Sequence, residues 1–94
     1  MKPTETLTNL EDLARQLGMT VRYEPLNWGE LDISPGRCRI RGEDYLFVDP
    51  RMNTAARIEL ICREISRLDL SNIFIKPILR DLIEAYQEEG ENNQ

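Results

Sequence analysis

The chain has 94 residues, of which 40% are hydrophobic and 31% charged, a composition typical of one globular domain over residues 1–94. Its net charge of −5 disfavours nucleic acid and anionic membranes as partners, because both attract proteins through Lys and Arg. No apolar run approaches the roughly 18 residues of a membrane span. The N-terminus has no apolar signal segment, so we expect a cytoplasmic protein with frayed ends at residues 1–6 and 90–94.

The sequence contains no histidine. Ser-His-Asp and Cys-His catalytic arrangements and all histidine-ligated zinc sites are therefore excluded. The two cysteines, Cys38 and Cys62, are too far apart for a CxxC motif, and we expect both to be reduced, small hydrophobic side chains. We predict no catalytic residue, no metal ion and no cofactor.

A helix and a strand are predicted first in the chain. Residues 7–17 carry apolar side chains at i, i+3, i+4 and i+7, which is the pattern of an amphipathic helix. One of the threonines is expected to cap it, Thr8 with Glu11 matching a capping box, and Gly18 is expected to end it. Residues 20–24 alternate between polar and apolar side chains and are rich in β-forming residues, which predicts a strand.

A long loop is predicted over residues 25–36, PLNWGELDISPG. Their apolar residues follow neither the helical period of 3.6 nor the strand period of 2. Loops of about 12 residues in small domains commonly cover or bind something. The apolar side chains of this loop either fold back over the core or form a patch that contacts a partner protein through an aromatic anchor. They are Leu26, Trp28, Leu31 and Ile33, of which the first three are candidate partner-binding residues.

A β-hairpin is predicted over residues 37–49, RCRIRGEDYLFVD, with GED at the turn. A two-residue turn, which the leading glycine favours, places Cys38 and Ile40 on the face of Tyr45 and Phe47. A three-residue turn moves both to the opposite face and puts the arginines beside the aromatic rings. The sequence leaves the register open.

The first strand of this hairpin carries Arg37, Arg39 and Arg41 at alternate positions. Such a row is typical of a solvated strand that protects a sheet edge. It also suits an acidic protein partner or a phosphate backbone. Because Glu43 and Asp44 dilute the positive field, a protein is favoured over nucleic acid, and the three arginines are candidate partner-binding residues.

Two helices are predicted after the hairpin. Asn53 or Thr54 is expected to cap the first helix. Its core face is formed by apolar residues that share one arc of the helix: Ile58, Ile61, Cys62, Ile65 and Leu68. The second helix covers residues 76–89 and ends at Gly90, and residues 71–75 before it form a connector or a short strand.

The order helix, strand, loop, hairpin, helix, helix predicts a small α+β domain. We expect an N-terminal helix, a three-stranded antiparallel sheet that includes the β-hairpin, and two C-terminal helices packed on the sheet. The sequence shows no repeat and no low-complexity linker, so one domain is expected.

The stretch ELICREISRLDL, residues 59–70, has the framing of an HExxH zinc-peptidase helix, with arginine at both histidine positions. Together with the phrase LARQLG at the end of the first helix and the hairpin, it resembles the small metallopeptidases of the ImmA/IrrE type over most of the chain. The resemblance implies that Arg63 and Arg67 stand at the two zinc-ligand positions and Glu64 at the general-base position. Because a guanidinium is always protonated and offers no lone pair, the resemblance implies a degenerate relative that has lost its metal.

The expected function is that of a small non-catalytic interaction module, which binds a protein partner through the Trp28 loop or the arginine row. The alternative is a catalytically dead zinc-peptidase-like domain that binds a peptide in a relic cleft lined by Arg63, Glu64 and Arg67. An enzyme with Asp49 and Glu64 as acid and base requires both carboxylates in one site, which the sequence does not indicate. A homodimer is compatible with an exposed strand edge.

Overall fold

The computed structural model describes the backbone of residues 1–25, 27–28, 31–32 and 35–92, and the side chains of residues 1–25 and 35–88. Its elements in chain order are α1 (Pro3–Gln16), β1 (Met19–Tyr23), β2 (Asn27–Trp28), β3 (Leu31–Asp32), β4 (Gly36–Ile40), β5 (Glu43–Val48), α2 (Thr54–Ile65) and α3 (Pro77–Asn92). The predicted α+β class is confirmed, with an N-terminal helix, a three-stranded sheet and two C-terminal helices. Among the helices described, none is long and apolar enough to cross a membrane.

Helix α1 begins at Pro3, before the predicted start at residue 7, because a proline suits the first turn of a helix. Residues 3–6, which were expected to be frayed, form that first turn. Thr8 is therefore inside the helix rather than at its cap, and its hydroxyl donates to the Thr4 carbonyl at 3.1 Å. Gly18 ends the helix as predicted: it has a φ of 92°, and its N–H donates to the Arg15 carbonyl at 3.0 Å.

The three-stranded sheet has the order β1-β5-β4. Strands β4 and β5 form the predicted antiparallel hairpin, whereas β1 pairs in parallel with β5, from Met19↔Asp44 to Tyr23↔Val48. The sheet is therefore mixed and not antiparallel throughout. The chain between β1 and β5 is long enough to return β5 in the same direction as β1, which is what a parallel neighbour requires.

The turn between β4 and β5 consists of Arg41 and Gly42, with φ angles of 53° and 83°. Positive φ at both central residues is the geometry of a type I′ turn, whose twist matches that of the flanking strands. The turn lies one residue earlier than the predicted GED, since Glu43 already pairs with Ile40 in the ladder. This register follows the two-residue alternative and places Cys38 on the face of the aromatic side chains.

Helices α1 and α2 pack together on one face of the sheet and enclose the core. The largest fully buried side chains come from both helices, the sheet and α3: Leu10, Leu46, Ile61, Ile65, Ile83, Val48 and Cys62. Burial of each large aliphatic side chain stabilises the fold by about 1.5–3 kcal/mol. Asn53 caps α2 as predicted, because its side chain accepts from the Ala56 N–H at 2.8 Å. Leu68, predicted on the core face of α2, lies beyond its end at Ile65.

The segment between α2 and α3 is a turn and not a strand. Asp69 Oδ1 accepts from the Ser71 N–H at 3.0 Å and from the Ser71 hydroxyl at 2.7 Å, which is a turn-forming arrangement. Helix α3 then runs to Asn92 and passes Gly90, which was predicted to end it. A glycine lowers helix propensity by about 1 kcal/mol without excluding a helical backbone.

Candidate functional site

The residues expected to contact a partner fall in two segments. The side chains of Leu26, Trp28 and Leu31 lie outside the described residues, although the backbone of β2 pairs with β3 through Trp28↔Leu31. The arginines are described: Arg37 and Arg39 lie on β4, and Arg41 lies in the turn that follows. The candidate site is therefore built from β4 and its surroundings.

Strand β4 is an edge strand, because β5 is its one hydrogen-bonded neighbour among the strands described. Ile40 and Glu43 flank the two-residue turn and form a hydrogen-bonded pair, and bonded and non-bonded pairs alternate along an antiparallel ladder. The backbone N–H and C=O groups of Arg37 and Arg39 consequently point away from β5. An exposed row of such groups is a template for an added strand.

The side chains of Arg37 and Arg39 lie on the helix-facing side of the sheet, together with their cross-strand partners Leu46 and Asp44. Arg37 Nη2 lies 3.3 Å from Asp44 Oδ2, and Arg39 Nη1 lies 3.6 Å from Asp44 Oδ1. Within the described residues, no hydrogen bond reaches this buried Oδ1. Among the described side chains, two cations thus share one carboxylate on this side of β4, and Arg41 in the turn is exposed.

The opposite face of β4 is apolar. Cys38 and Ile40 lie there beside Tyr45 and Phe47 of β5, whose rings stack with centroids 5.7 Å apart and planes at 15°. Ile40 is 43% exposed. The Tyr45 hydroxyl donates to Glu43, and this hydrogen bond raises the pKa of Tyr45. The edge strand therefore presents a cationic side and an apolar side.

A shallow groove of about 320 Å³ lies between the start of β4 and the outer side of α2. It is lined by Pro35, Met52, Ala56, Glu59, Leu60 and Arg63. Arg63 donates to Glu59 at 2.8 Å, and its guanidinium lies over the ring of Tyr86 at 5.7 Å from the centroid. The groove thus has an apolar floor with an ion pair at its α2 side.

The residues at the peptidase-like positions are only partly brought together. Glu64 is 8% exposed, and its Oε1 accepts from Arg67 Nη1 at 3.1 Å. The same oxygen lies 3.6 Å from the position of a Cβ on Gly36, so Glu64 faces the start of β4. Arg63 is engaged elsewhere, by Glu59.

Zinc does not fit this donor set, because guanidinium groups at both ligand positions provide no lone pair. In the described ranges, no group of three Cys, Asp or Glu side chains is arranged to hold a metal ion. Asp49, the other carboxylate considered for acid–base chemistry, is 8% exposed and accepts from the Arg51 guanidinium at 2.6 Å. Asp49 and Glu64 thus each form an ion pair with an arginine close in the chain.

The two cysteines have different environments. Cys62 packs in the core as expected, and burial raises the pKa of its thiol to about 12. Cys38 is exposed, contrary to the expectation for a core hydrophobe, because it lies on the open face of an edge strand. Both are free thiols.

The ion pairs of Asp44 with both arginines and the groove beside α2 are features that the sequence did not predict. Asp44 lies directly opposite Arg39 and diagonal to Arg37, a relationship that exists only in the observed register. The signal available was Gly42 at the second turn position, which is typical of a type I′ turn and would have fixed that register. The groove depends on the approach of Pro35 to α2, which no local pattern encodes.

Comparisons of this chain with models of protein families, with curated proteins and with solved structures gave no match. The relation to ImmA/IrrE-type peptidases therefore stays a prediction from the sequence.

Proposed function

We propose that the protein is a small, non-catalytic interaction module that binds an extended segment of a partner protein along the outer edge of β4. The observation that carries this proposal is the outer edge of β4, which pairs with no strand among the described residues and lies beside the groove on α2. Addition of a strand to an exposed sheet edge is a common mode of peptide recognition, in which main-chain hydrogen bonds give affinity and neighbouring side chains give specificity. The proposed compartment is the cytoplasm, where thiols such as Cys38 and Cys62 stay reduced.

The arginine row argues against a second copy of this chain as the partner. In an antiparallel pair of two β4 strands centred on Cys38, Arg37 of each copy stands opposite Arg39 of the other. Like charges directly opposite one another destabilise a strand pair. We therefore propose a different protein as the partner in preference to a homodimer.

A second candidate function is that of a catalytically dead peptidase-like domain with a relic peptide cleft. The observation that favours it is the position of the Glu64 carboxylate, which faces Gly36 at the start of the edge strand. In this alternative the peptide also contacts Arg67, so that Arg67→Ala weakens peptide binding by the folded protein. In the first proposal Arg67 makes no contact with the peptide, and the affinity of the folded variant stays unchanged.

The test of strand addition uses peptides selected on the protein from a displayed random library, and a matched pair of substitutions at Arg39. Arg39→Ala removes the side chain alone. Arg39→Pro also removes the outward N–H, a change that edge strands tolerate. Since one hydrogen bond contributes about 0.5–1.5 kcal/mol, we expect Arg39→Pro to bind the selected peptides about 2- to 10-fold more weakly than Arg39→Ala.

Phe74→Ala is the control, because Phe74 is 81% exposed and belongs neither to β4 nor to the groove. We expect this variant to bind the peptides as the wild type does, and circular dichroism confirms that all variants are folded. Equal affinity of the Arg39→Ala and Arg39→Pro variants contradicts strand addition, as does a selection that enriches no peptide.

A further inference from the structure

We infer that the partner segment alternates acidic and apolar residues, with carboxylates on the side of Arg37 and Arg39 and apolar side chains on the side of Cys38 and Ile40. This inference rests on the proposed function and specifies the chemistry of its ligand. It follows from the register of the hairpin, which separates the two kinds of side chain onto opposite faces of β4.

The acidic half of the pattern follows from the charge on the helix-facing side. Among the described side chains, Arg37 and Arg39 both approach the carboxylate of Asp44, and their own side chains are 36% and 67% exposed. Their outward backbone groups make them the residues that an incoming strand pairs with directly. Side chains directly across from them lie within reach of both guanidinium groups, and carboxylates there form charge-assisted hydrogen bonds.

The apolar half follows from the opposite side of the same strand. Successive residues of an added strand point to alternate faces, so the neighbours of the acidic residues lie next to Cys38 and Ile40. Ile40 is 43% exposed, and the stacked rings of Tyr45 and Phe47 continue this surface into the sheet. Apolar side chains at these positions extend that surface, whereas charged ones are placed against the apolar side chains of Cys38 and Ile40.

Neither face alone specifies such a partner. A uniformly acidic segment supplies carboxylates to the arginines and places charge against Ile40, whereas a uniformly apolar segment supplies no further carboxylate to Arg37 and Arg39, which share Asp44. Each matched cross-strand pair is expected to strengthen binding by about 1.4- to 5-fold. Alternation is therefore the property that distinguishes this ligand from other acidic peptides.

The experiment measures the affinity of labelled synthetic peptides for the full chain by fluorescence anisotropy. One peptide alternates Glu and Val, a second has the same composition with Glu and Val in separate blocks, and a third alternates Lys and Val. We expect the Glu-Val alternating peptide to bind about 10-fold more tightly than the block peptide, and the Lys-Val peptide to bind weakest. Added salt should weaken binding of the Glu-Val peptide, because the ion pairs are partly exposed.

A charge-reversed protein provides the matched control. In the Arg37→Glu/Arg39→Glu variant we expect the order to reverse, with the Lys-Val peptide binding more tightly than the Glu-Val peptide. Reversal is a result that a loss of folding cannot produce. Equal binding of alternating and block peptides, or an unchanged order in the reversed variant, overturns the inference.

Amide hydrogen exchange separates failure of this inference from failure of the proposed function. In one outcome, the selected peptides slow exchange at Arg37 and Arg39 without any alternation of acidic and apolar residues. That result supports strand addition and overturns only the inference. If no peptide slows exchange at these two amides, both fail. Alternation in the selected peptides, together with protection at Arg37 and Arg39, supports both.

Discussion

Asp44 lies diagonally across the β4–β5 hairpin from Arg37, with its carboxylate Oδ2 3.3 Å from the guanidinium Nη2. The other oxygen of the same carboxylate faces Arg39 at 3.6 Å. Asp44 thus pairs with the same two guanidinium groups that an acidic residue of the partner contacts in the proposed complex. If the proposed complex forms, Asp44 stabilises the free protein and competes with the acidic residue of the partner.

The substitution Asp44→Asn tests that competition. We expect the free energy of unfolding to fall by less than about 1 kcal/mol, because the pairs are partly exposed. The affinity for an acidic–apolar peptide should rise by about 2- to 5-fold, because both guanidinium groups lose their internal counter-charge. Urea denaturation and fluorescence anisotropy measure the two effects. Asp12→Asn, which removes the exposed pair with Arg15 on α1, is the control and should leave peptide affinity unchanged.

Arg41 carries strain in the free protein, because its φ of 53° is one that side chains other than Gly, Asn and Asp rarely adopt. Asn-Gly is the preferred pair for a type I′ turn. Arg41→Asn should therefore raise the free energy of unfolding by about 0.5–1 kcal/mol. Thermal or urea unfolding measures the change, and a less stable variant would count against the assigned turn.

Arg63 and Arg67 should differ in their contribution to stability. Arg67→Ala leaves Glu64, which is 8% exposed, without its ion-pair partner, and the expected loss is about 1–3 kcal/mol. Arg63→Ala leaves Glu59, whose side chain is 52% exposed, and the expected loss is below about 1 kcal/mol. Urea denaturation of the two variants side by side gives the comparison. Equal losses would show that Glu64 gains solvent access when Arg67 is removed.

The stability of the protein should fall at alkaline pH through Cys62. Burial raises the pKa of this thiol from 9.0 to about 12, so its contribution is fully present below pH 9 and is lost as the pH rises towards 12. Burial and the hydrogen bond to Glu11 raise the pKa of Tyr23 to about 12, which acts in the same direction above pH 10.

Urea midpoints at about pH 7 and about pH 10.5 test this dependence. Wild type should lose more stability between the two conditions than Cys62→Ala, in which the buried thiol is absent. Cys38→Ala is the control and should behave as wild type, because Cys38 is exposed. A Cys62→Ala variant with the full alkaline loss would assign the effect to other groups.

Removal of side-chain volume should lower stability strongly in the core and little at the exposed segment between α2 and α3. Ile61 is fully buried, and Ile61→Ala should cost about 2–5 kcal/mol. Phe74 is 81% exposed, so Phe74→Ala should change stability by no more than about 0.5 kcal/mol although it removes a larger side chain. Chemical denaturation of both variants compares them directly. A large loss on removal of Phe74 would contradict its exposed position.

The parts of the fold that local patterns encode were predictable from the sequence. The apolar period over Ile61, Cys62 and Ile65 placed the core face of α2, and Asn53 marked its cap. The direction of β1 was not predictable, because parallel and antiparallel neighbours have the same alternation of side chains. The neighbour of β1 in the sheet is chosen by packing between distant segments.

The candidate site was likewise predictable only in part. The arginine row was visible in the sequence, whereas its face depended on whether the turn held two residues or three. Arg41 is an unusual residue at a position of positive φ, so the observed turn goes against local preference at that residue. The ladder and the burial of Leu46 and Val48 outweigh this cost.

The parallel pairing of β1 with β5 has a consequence for variation in this chain. The β1–β5 ladder closes the chain between these two strands into one loop in the topological sense, and this loop contains β2, β3 and β4. The free-energy cost of closing a flexible loop grows only with the logarithm of its length, by about 0.6 kcal/mol for each doubling. Loop closure therefore penalises insertions between β1 and β4 only weakly, so that the length of this segment can change at a small cost in stability while the β1–β5 pairing is kept.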